Sequence, residues 1–191
     1  MTKRYVAILA FLMVGAASVS AQVEVKLNPV GLLFGSVSGS AELLLGEQGS
    51  IGIEGIGGYK FPMEGSLISE TVGESTGFEV SALAKLYFNP DRGGDGYYFF
   101  PYIQYSSLNL DFNEDPYGDV EIAYTAFGAG IGGGWKFVGE PGLLVDIGAG
   151  IGRNFSETYD VDNASYEEEE DETGFFLPFN FLVRASIGYR F

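Results

Sequence analysis

Residues 179–191 read Phe179-Asn180-Phe181-Leu182-Val183-Arg184-Ala185-Ser186-Ile187-Gly188-Tyr189-Arg190-Phe191. Phe179, Phe181, Val183, Ala185, Ile187, Tyr189 and Phe191 fall at every second position. Asn180, Arg184, Ser186, Gly188 and Arg190 fall between them. A period of two sends these sets to opposite faces of an extended strand, one apolar and one polar. Working back along the chain, the alternation recurs. Leu143, Val145, Ile147, Ala149 and Ile151 oppose Asp146, Gly148, Gly150, Gly152 and Asn154. Phe78, Val80, Ala82, Ala84, Leu86 and Phe88 oppose Glu79, Ser81 and Lys85, while Val37, Ala41, Leu43 and Leu45 oppose Ser36, Ser38, Ser40 and Glu42. Eight such segments are expected, over 23–34, 36–45, 50–61, 77–88, 97–107, 121–137, 143–155 and 175–191. Each is at least as long as the ~9–11 residues with which a tilted strand crosses a hydrocarbon layer.

Alternation leaves open which face is outside. A soluble lipocalin-like barrel turns its apolar face in, whereas a membrane barrel turns it out. Three features favour apolar-out. Gly128, Gly130, Gly132 and Gly134, with Gly148, Gly150 and Gly152, make the polar face small, as a narrow lumen requires. That face also carries opposed charges that a closed interior could pair: Glu24, Glu42, Glu54, Glu79 and Asp146 against Lys26, Lys60, Lys85, Lys136, Arg184 and Arg190. Aromatics gather near segment ends, at Tyr59 and Phe61, Tyr87 and Phe88, Tyr97 to Phe100, and Trp135 and Phe137, as interfacial girdles do. The expected fold is therefore all-β, an eight-stranded antiparallel up-and-down transmembrane β-barrel. Closure is required because lipid leaves an open sheet edge without hydrogen-bond partners. An even strand count puts both ends on one side.

The composition narrows the function. The chain has 191 residues, 10 basic and 26 acidic, with a formal charge of −16. Nothing basic is in excess to neutralise phosphates, so nucleic acid is not an expected partner. There is no Cys and no His. That removes disulfides, thiolate or imidazole metal ligands and Ser–His–Asp hydrolysis. Outer-membrane barrel enzymes of the protease, phospholipase and lipid A deacylase kinds use a catalytic His.

Residues 1–21, MTKRYVAILAFLMVGAASVSA, begin with Lys3 and Arg4 and continue through an apolar run from Tyr5 to Ala17. Val19 and Ala21 stand at −3 and −1 of a small-residue cleavage site, leaving Gln22 as the mature N-terminus. This is the pattern of a secretory signal peptide. The run is short of the ~20 residues that a spanning anchor needs. Residues 22–191 are then the barrel.

The expected connections alternate. Gly46–Gly49, Asn89–Gly96 and Val138–Gly142 are compact, while 62–76, 108–120 and 156–174 are longer, and the first, near Gly35, is tight. Short periplasmic turns and long outer loops are the usual asymmetry. Residues 156–172 carry Glu157, Asp160, Asp162 and the run Glu167 to Glu172 with no basic residue. A solvated, self-repelling loop is the plain expectation. Asp160, Asp162 and Glu167 are candidates for loop binding of Ca²⁺ or Mg²⁺, although EF-hand spacing is missing.

The ending Ile187-Gly188-Tyr189-Arg190-Phe191 is similar to the terminal strand recognised by the barrel-assembly machinery, which implies Tyr189 and Phe191 as an assembly signal. The opening Val25-Lys26-Leu27-Asn28-Pro29-Val30-Gly31-Leu32-Leu33-Phe34-Gly35, followed by Glu42, resembles a family of small bacterial outer-membrane barrels of unknown function, and more loosely the OmpA/OmpX-like eight-stranded barrels. The resemblance implies location in the outer membrane among lipid and lipopolysaccharide and assembly by that machinery. A monomer is expected, and, with the sequence ending at Phe191, the peptidoglycan-binding domain of full-length OmpA is not expected. The resemblance implies no reaction. The expected role is non-enzymatic, structural or surface-interacting through acidic outer loops, with no cofactor and no resident metal. A narrow pore or small-solute transporter is the alternative. An enzyme would need an acid/base pair such as Glu54 and Glu79, and buried carboxylates of this kind more often sit in ion pairs.

Overall fold

The computed structural model describes residues 22–46, 49–62, 74–88, 90–114, 118–162 and 179–191. Eight strands form one closed antiparallel barrel in sequence order. They are β1 (Gln22–Asn28), β2 (Ser36–Leu45), β3 (Ile51–Lys60), β4 (Glu74–Tyr87), β5 (Gly96–Glu114), β6 (Gly118–Val138), β7 (Leu143–Asp162) and β8 (Phe179–Arg190). Each pairs with its sequence neighbour, and β1 closes on β8. The expected 1–21 signal peptide and residues 175–178 lie outside the described residues.

Four boundaries differ from the expectations. β4 starts at Glu74, inside the expected 62–76 connection, because Glu74 to Thr76 continue the ladder with β5. The first segment does not run to residue 34. Proline has no N–H to give a ladder, and β1 stops at Asn28, immediately before Pro29. Pro29–Phe34 form a 3-10 helix, ended by Gly35 in the left-handed region at φ 65°. The β1–β8 ladder is consequently short, from Glu24↔Arg190 to Leu27↔Ile187, and above it the helix stands beside β8. Nor is 108–120 a loop. Leu108, Leu110 and Phe112 alternate with Asn109, Asp111 and Asn113, which is itself a strand pattern, and β5 and β6 stay paired up to Glu114↔Gly118. Likewise β7 does not stop at 155. A bulge sets Phe127 opposite Ser156 and Gly128 opposite Asn154, so Phe155 is the extra residue and the facing of β7 reverses beyond it. A bulge of this type adds one residue to one strand only. Glu157 and Tyr159 thereby join Tyr124 on the inner surface, where Tyr124 Oη meets Glu157 Oε1 at 3.2 Å.

The barrel is apolar outside. Among the described residues, exposed large hydrophobics far outnumber buried ones. Two aromatic rows cross the outer wall. The upper row runs through Tyr59, Phe78, Tyr105, Phe127, Phe155 and Phe179. Tyr59 pairs with Phe78, the Phe78 and Tyr105 rings lie 5.9 Å apart, and Tyr105 pairs with Phe127. The lower row runs through Phe88, Tyr97, Trp135, Phe137, Tyr189 and Phe191. Tyr97 pairs with Trp135, which stacks on Phe137 at 6.1 Å, and Tyr189 meets Phe191 at 5.1 Å. Between the rows no described residue puts a charged side chain on the outer wall, and Arg153 stands at the level of the upper row, paired with Phe179.

Tyr87, Tyr98 and Phe100 do not belong to a girdle. Their parity on β4 and β5 turns them inward, and all three are buried. Tyr98, Phe100 and Tyr102 stack as an inner ladder with centroids 5.8 and 6.0 Å apart. This ladder accounts for the glycines. A Cβ on Gly130, Gly132 or Gly134 would strike Tyr102, Phe100 or Tyr98 respectively, and one on Gly148 or Gly150 would meet Tyr98 or Tyr102 at 2.7 and 2.9 Å. The missing side chains of β6 and β7 thus house the rings of β5, and the stack is not free volume. Gly132→Ala is expected to cost about 1–3 kcal/mol through overpacking, because Phe100 and the Ala149 carbonyl both stand in its way. A Cβ on outward-facing Gly55 has nothing within 4 Å. Gly55→Ala should therefore be neutral or stabilising by about 0.4–1 kcal/mol through the unfolded chain. Urea unfolding followed on heat-modifiable gels compares the two; equal midpoints would refute the packing account.

Candidate functional site: the closed charge cluster of the lumen

The polar faces of seven strands bring charged side chains to the barrel axis. β1 supplies Glu24 and Lys26, β2 Glu42, β3 Glu54, β4 Lys85, β6 Lys136, β7 Asp146 and β8 Arg184 with Arg190. Glu24, Lys26, Glu42, Glu54, Lys85, Lys136, Asp146 and Arg184 are all buried. Lys85 Nζ lies 3.0 Å from Glu42, 2.7 Å from Glu54 and 2.7 Å from Asp146. Lys26 Nζ lies 2.9 Å from both Glu54 and Asp146 and is also bonded to Glu42. Arg184 grips Glu54 through two nitrogens, at 2.5 and 2.9 Å, and reaches Asp146 at 2.5 Å. Lys136 joins Glu24 at 2.7 Å and Glu42 at 3.3 Å. Arg190 completes the lower rim on Glu24 at 2.5 Å.

Neutral groups finish the network. Tyr87 Oη donates to Glu42 and Tyr98 Oη to Asp146, each at 2.5 Å, while Ser40 Oγ donates to Glu54 at 2.5 Å. Lys85 sits 4.4 Å from the Tyr98 ring centroid and Lys136 4.5 Å from that of Tyr87. Each tyrosine thus bonds a carboxylate with its hydroxyl while its face receives an ammonium. Tyr87 and Tyr98 were missing from the sequence reading of the lumen. Their signal was parity: each shares a face with buried neighbours, Tyr87 with Lys85 and Tyr98 with Phe100.

The cluster divides the eleven candidate lumen charges. Nine belong to it, while Lys60 and Glu79 form a separate pair nearer the upper end, at 3.5 Å, with both side chains about a third exposed (32%). Glu54 and Glu79, the acid/base candidates, therefore stand in different groups. Glu42, Glu54 and Asp146 have carboxylate oxygens within 4.8 Å of one another, a donor set suited to a hard cation. The ammonium groups of Lys26 and Lys85 already fill that space, each in contact with all three carboxylates.

Below the cluster the turn at 90–95 crosses the lower mouth. Arg190 donates to the Arg92 carbonyl at 2.7 Å and to that of Gly94 at 3.3 Å, Arg92 reaches the Val138 carbonyl at 3.5 Å, and Gly94 packs beside Leu44. Above the cluster Phe100, Leu83, Leu182 and Tyr102 add an apolar layer. Tyr189 and Phe191 lie on the outer wall at the lower row, with Tyr189 Oη donating to the Pro141 carbonyl at 3.0 Å. Asp160 is exposed on β7, Asp162 ends that strand opposite Glu121, and Glu167 lies outside the described residues.

Fold and interior together define a closed eight-stranded antiparallel barrel with an apolar wall and an ion-paired, ring-packed lumen. No family model matches the chain, and no curated protein or solved structure matches it.

Proposed function

We propose that this chain is a non-enzymatic outer-membrane β-barrel, exported through its N-terminal signal and related to the OmpA/OmpX-like barrels, with a structural or surface-interaction role. One observation carries this reading: the outer wall is apolar and uncharged between two aromatic rows. On β4, β6 and β8 the rows stand ten residues apart, at Phe78 and Phe88, Phe127 and Phe137, and Phe179 and Tyr189. Ten residues at ~3.3 Å each and a tilt of ~40° give a band about 25 Å tall. That is the height of the lipid-facing band of outer-membrane barrels. In water the same wall would be a continuous exposed apolar surface far beyond what soluble monomers present.

The surface role rests on the strands that continue past the upper row. The register sets Glu74, Asp111, Glu121 and Asp162 side by side on β4, β5, β6 and β7. Residues 106–114, 118–126 and 155–162 include no Lys or Arg. A segment rich in acid and without a base favours cationic partners, among them the divalent ions held by lipopolysaccharide, and disfavours anions. With both termini in the periplasm, it faces the outside. The assembly machinery would read Tyr189 and Phe191 on the terminal strand.

Cell fractionation with protease treatment of intact cells tests location and orientation. The mature protein should need detergent for extraction, with cleavage confined to the side bearing the projecting sheet. Recovery as a freely soluble protein would overturn the proposal. The pore alternative has less support, because a lumen of this width is normally filled by side chains and this one holds a sealed ion cluster. In planar bilayers the purified barrel should show no large, stable unitary steps; regular steps would favour the pore.

A further inference from the structure

Above the apolar layer the interior opens into a chamber of about 110 Å³. Its polar lining includes Asn28, Ser38, Lys60, Glu79, Ser81 and Gln104. Two of these residues each leave a side-chain oxygen without a partner among the described residues. Gln104 is buried, at 7% exposure, yet its Oε1 receives no hydrogen bond from a described residue, and neither does Asn28 Oδ1. Buried polar atoms in native folds are almost always satisfied, and each exception calls for an explanation. The cluster below satisfies its carboxylates at 2.5–3.0 Å, whereas Lys60 and Glu79 stand apart at 3.5 Å and Ser106 reaches Glu79 only at 3.3 Å.

The unmet groups have a definite chemistry. Two amide oxygens and the loosely held Glu79 carboxylate line one space and suit a donor, and a primary ammonium brings three N–H groups with positive charge. Lys60, loosely held, offers a place for an anion. The space equals about four waters, or one solute of about five heavy atoms. We propose that this chamber binds a small amino-acid zwitterion, its ammonium directed to Gln104, Asn28 and Glu79 and its carboxylate to Lys60. The site lies inside the barrel, so it does not depend on where the barrel resides.

The test uses the full barrel in detergent micelles, with calorimetry and thermal unfolding as readouts. Glycine should bind saturably and raise the unfolding temperature. Glycine betaine, whose quaternary nitrogen has no N–H, and leucine, too bulky for the chamber, should do neither. Gln104→Leu removes the orphan acceptor, and Lys60→Met removes the anion partner at a position that is one-third exposed and tolerant of change. Each should weaken glycine binding by on the order of tenfold or more, the equivalent of one charged hydrogen bond, while the unliganded barrel keeps its heat-modifiable migration. If Gln104→Leu does not fold, Lys60→Met alone decides. Absence of saturable glycine binding, equal binding of betaine, or undiminished affinity in the folded variants would overturn the proposal and leave water as the occupant.

Discussion

Asp146→Ala is expected to destabilise the barrel by about 3–5 kcal/mol, the cost of leaving buried charges without their partner. Asp146 accepts from Lys85 at 2.7 Å, Lys26 at 2.9 Å, Arg184 at 2.5 Å and Tyr98 at 2.5 Å. Its removal leaves three cations with Glu42 and Glu54 as their near carboxylates, Glu24 standing 3.7 Å from Lys26, in a space closed to water. The loss reflects the stranded cations and not the net worth of the pairs, since desolvation offsets much of the attraction in a buried cluster. A second substitution separates these quantities. Arg184→Met on the Asp146→Ala background removes one of the unmatched cations and fills its volume, so the double variant should lose less than the sum of the single changes. Urea unfolding with heat-modifiable migration as the probe measures all three. An unchanged midpoint in Asp146→Ala, or strict additivity in the double variant, would refute the account of the cluster as one coupled unit.

Val183→Arg is expected to cost about 2–4 kcal/mol in lipid and to impair insertion, as a cation at the bilayer midplane does. Val183 is 73% exposed and lies midway along β8 between Phe179 and Tyr189. Two controls give the depth dependence. Thr158→Arg lies on β7 beyond the bulge and above the upper aromatic row, where the same charge should cost about 0–1 kcal/mol. Ser186→Arg introduces the charge on the buried inner face beside Asp146, so its effect is set by packing and charge balance and should not vary with lipid thickness. Folding yield into lipid vesicles measures these differences. Equal effects of Val183→Arg and Thr158→Arg would sink the proposal that this wall meets hydrocarbon.

The cluster and the glycine-lined wall act together. Rings of β5 lie on the bare backbone of β6 and β7, and this lets Tyr98 place its hydroxyl on Asp146. Bulkier residues on that wall would push Tyr98 off its carboxylate. A substitution such as Gly134→Ala would then disturb the charge network without touching a charged residue, because its Cβ would strike the Tyr98 ring.

Strand number, antiparallel order and the two faces of each strand were legible in the amino-acid sequence, because a period of two is a local property that needs no partner to be read. Asn180 to Arg190 against Phe179 to Phe191 already separates the lumen from the wall. The tertiary structure alone decided the rest. Pro29 ends β1, but that a 3-10 helix then stands beside β8 depends on closure of the barrel. Leu108, Leu110 and Phe112 carry the alternation of β5 beyond the upper row, but that β6 and β7 run on beside it, with a bulge at Phe155, is set by the ladder between them. The fit of Tyr98, Phe100 and Tyr102 onto the glycines, and the division of the lumen charges into a sealed cluster and a loose Lys60–Glu79 pair, depend on which heights meet across the axis. The stagger between strands sets those heights, and stagger arises from interstrand pairing that no single segment encodes.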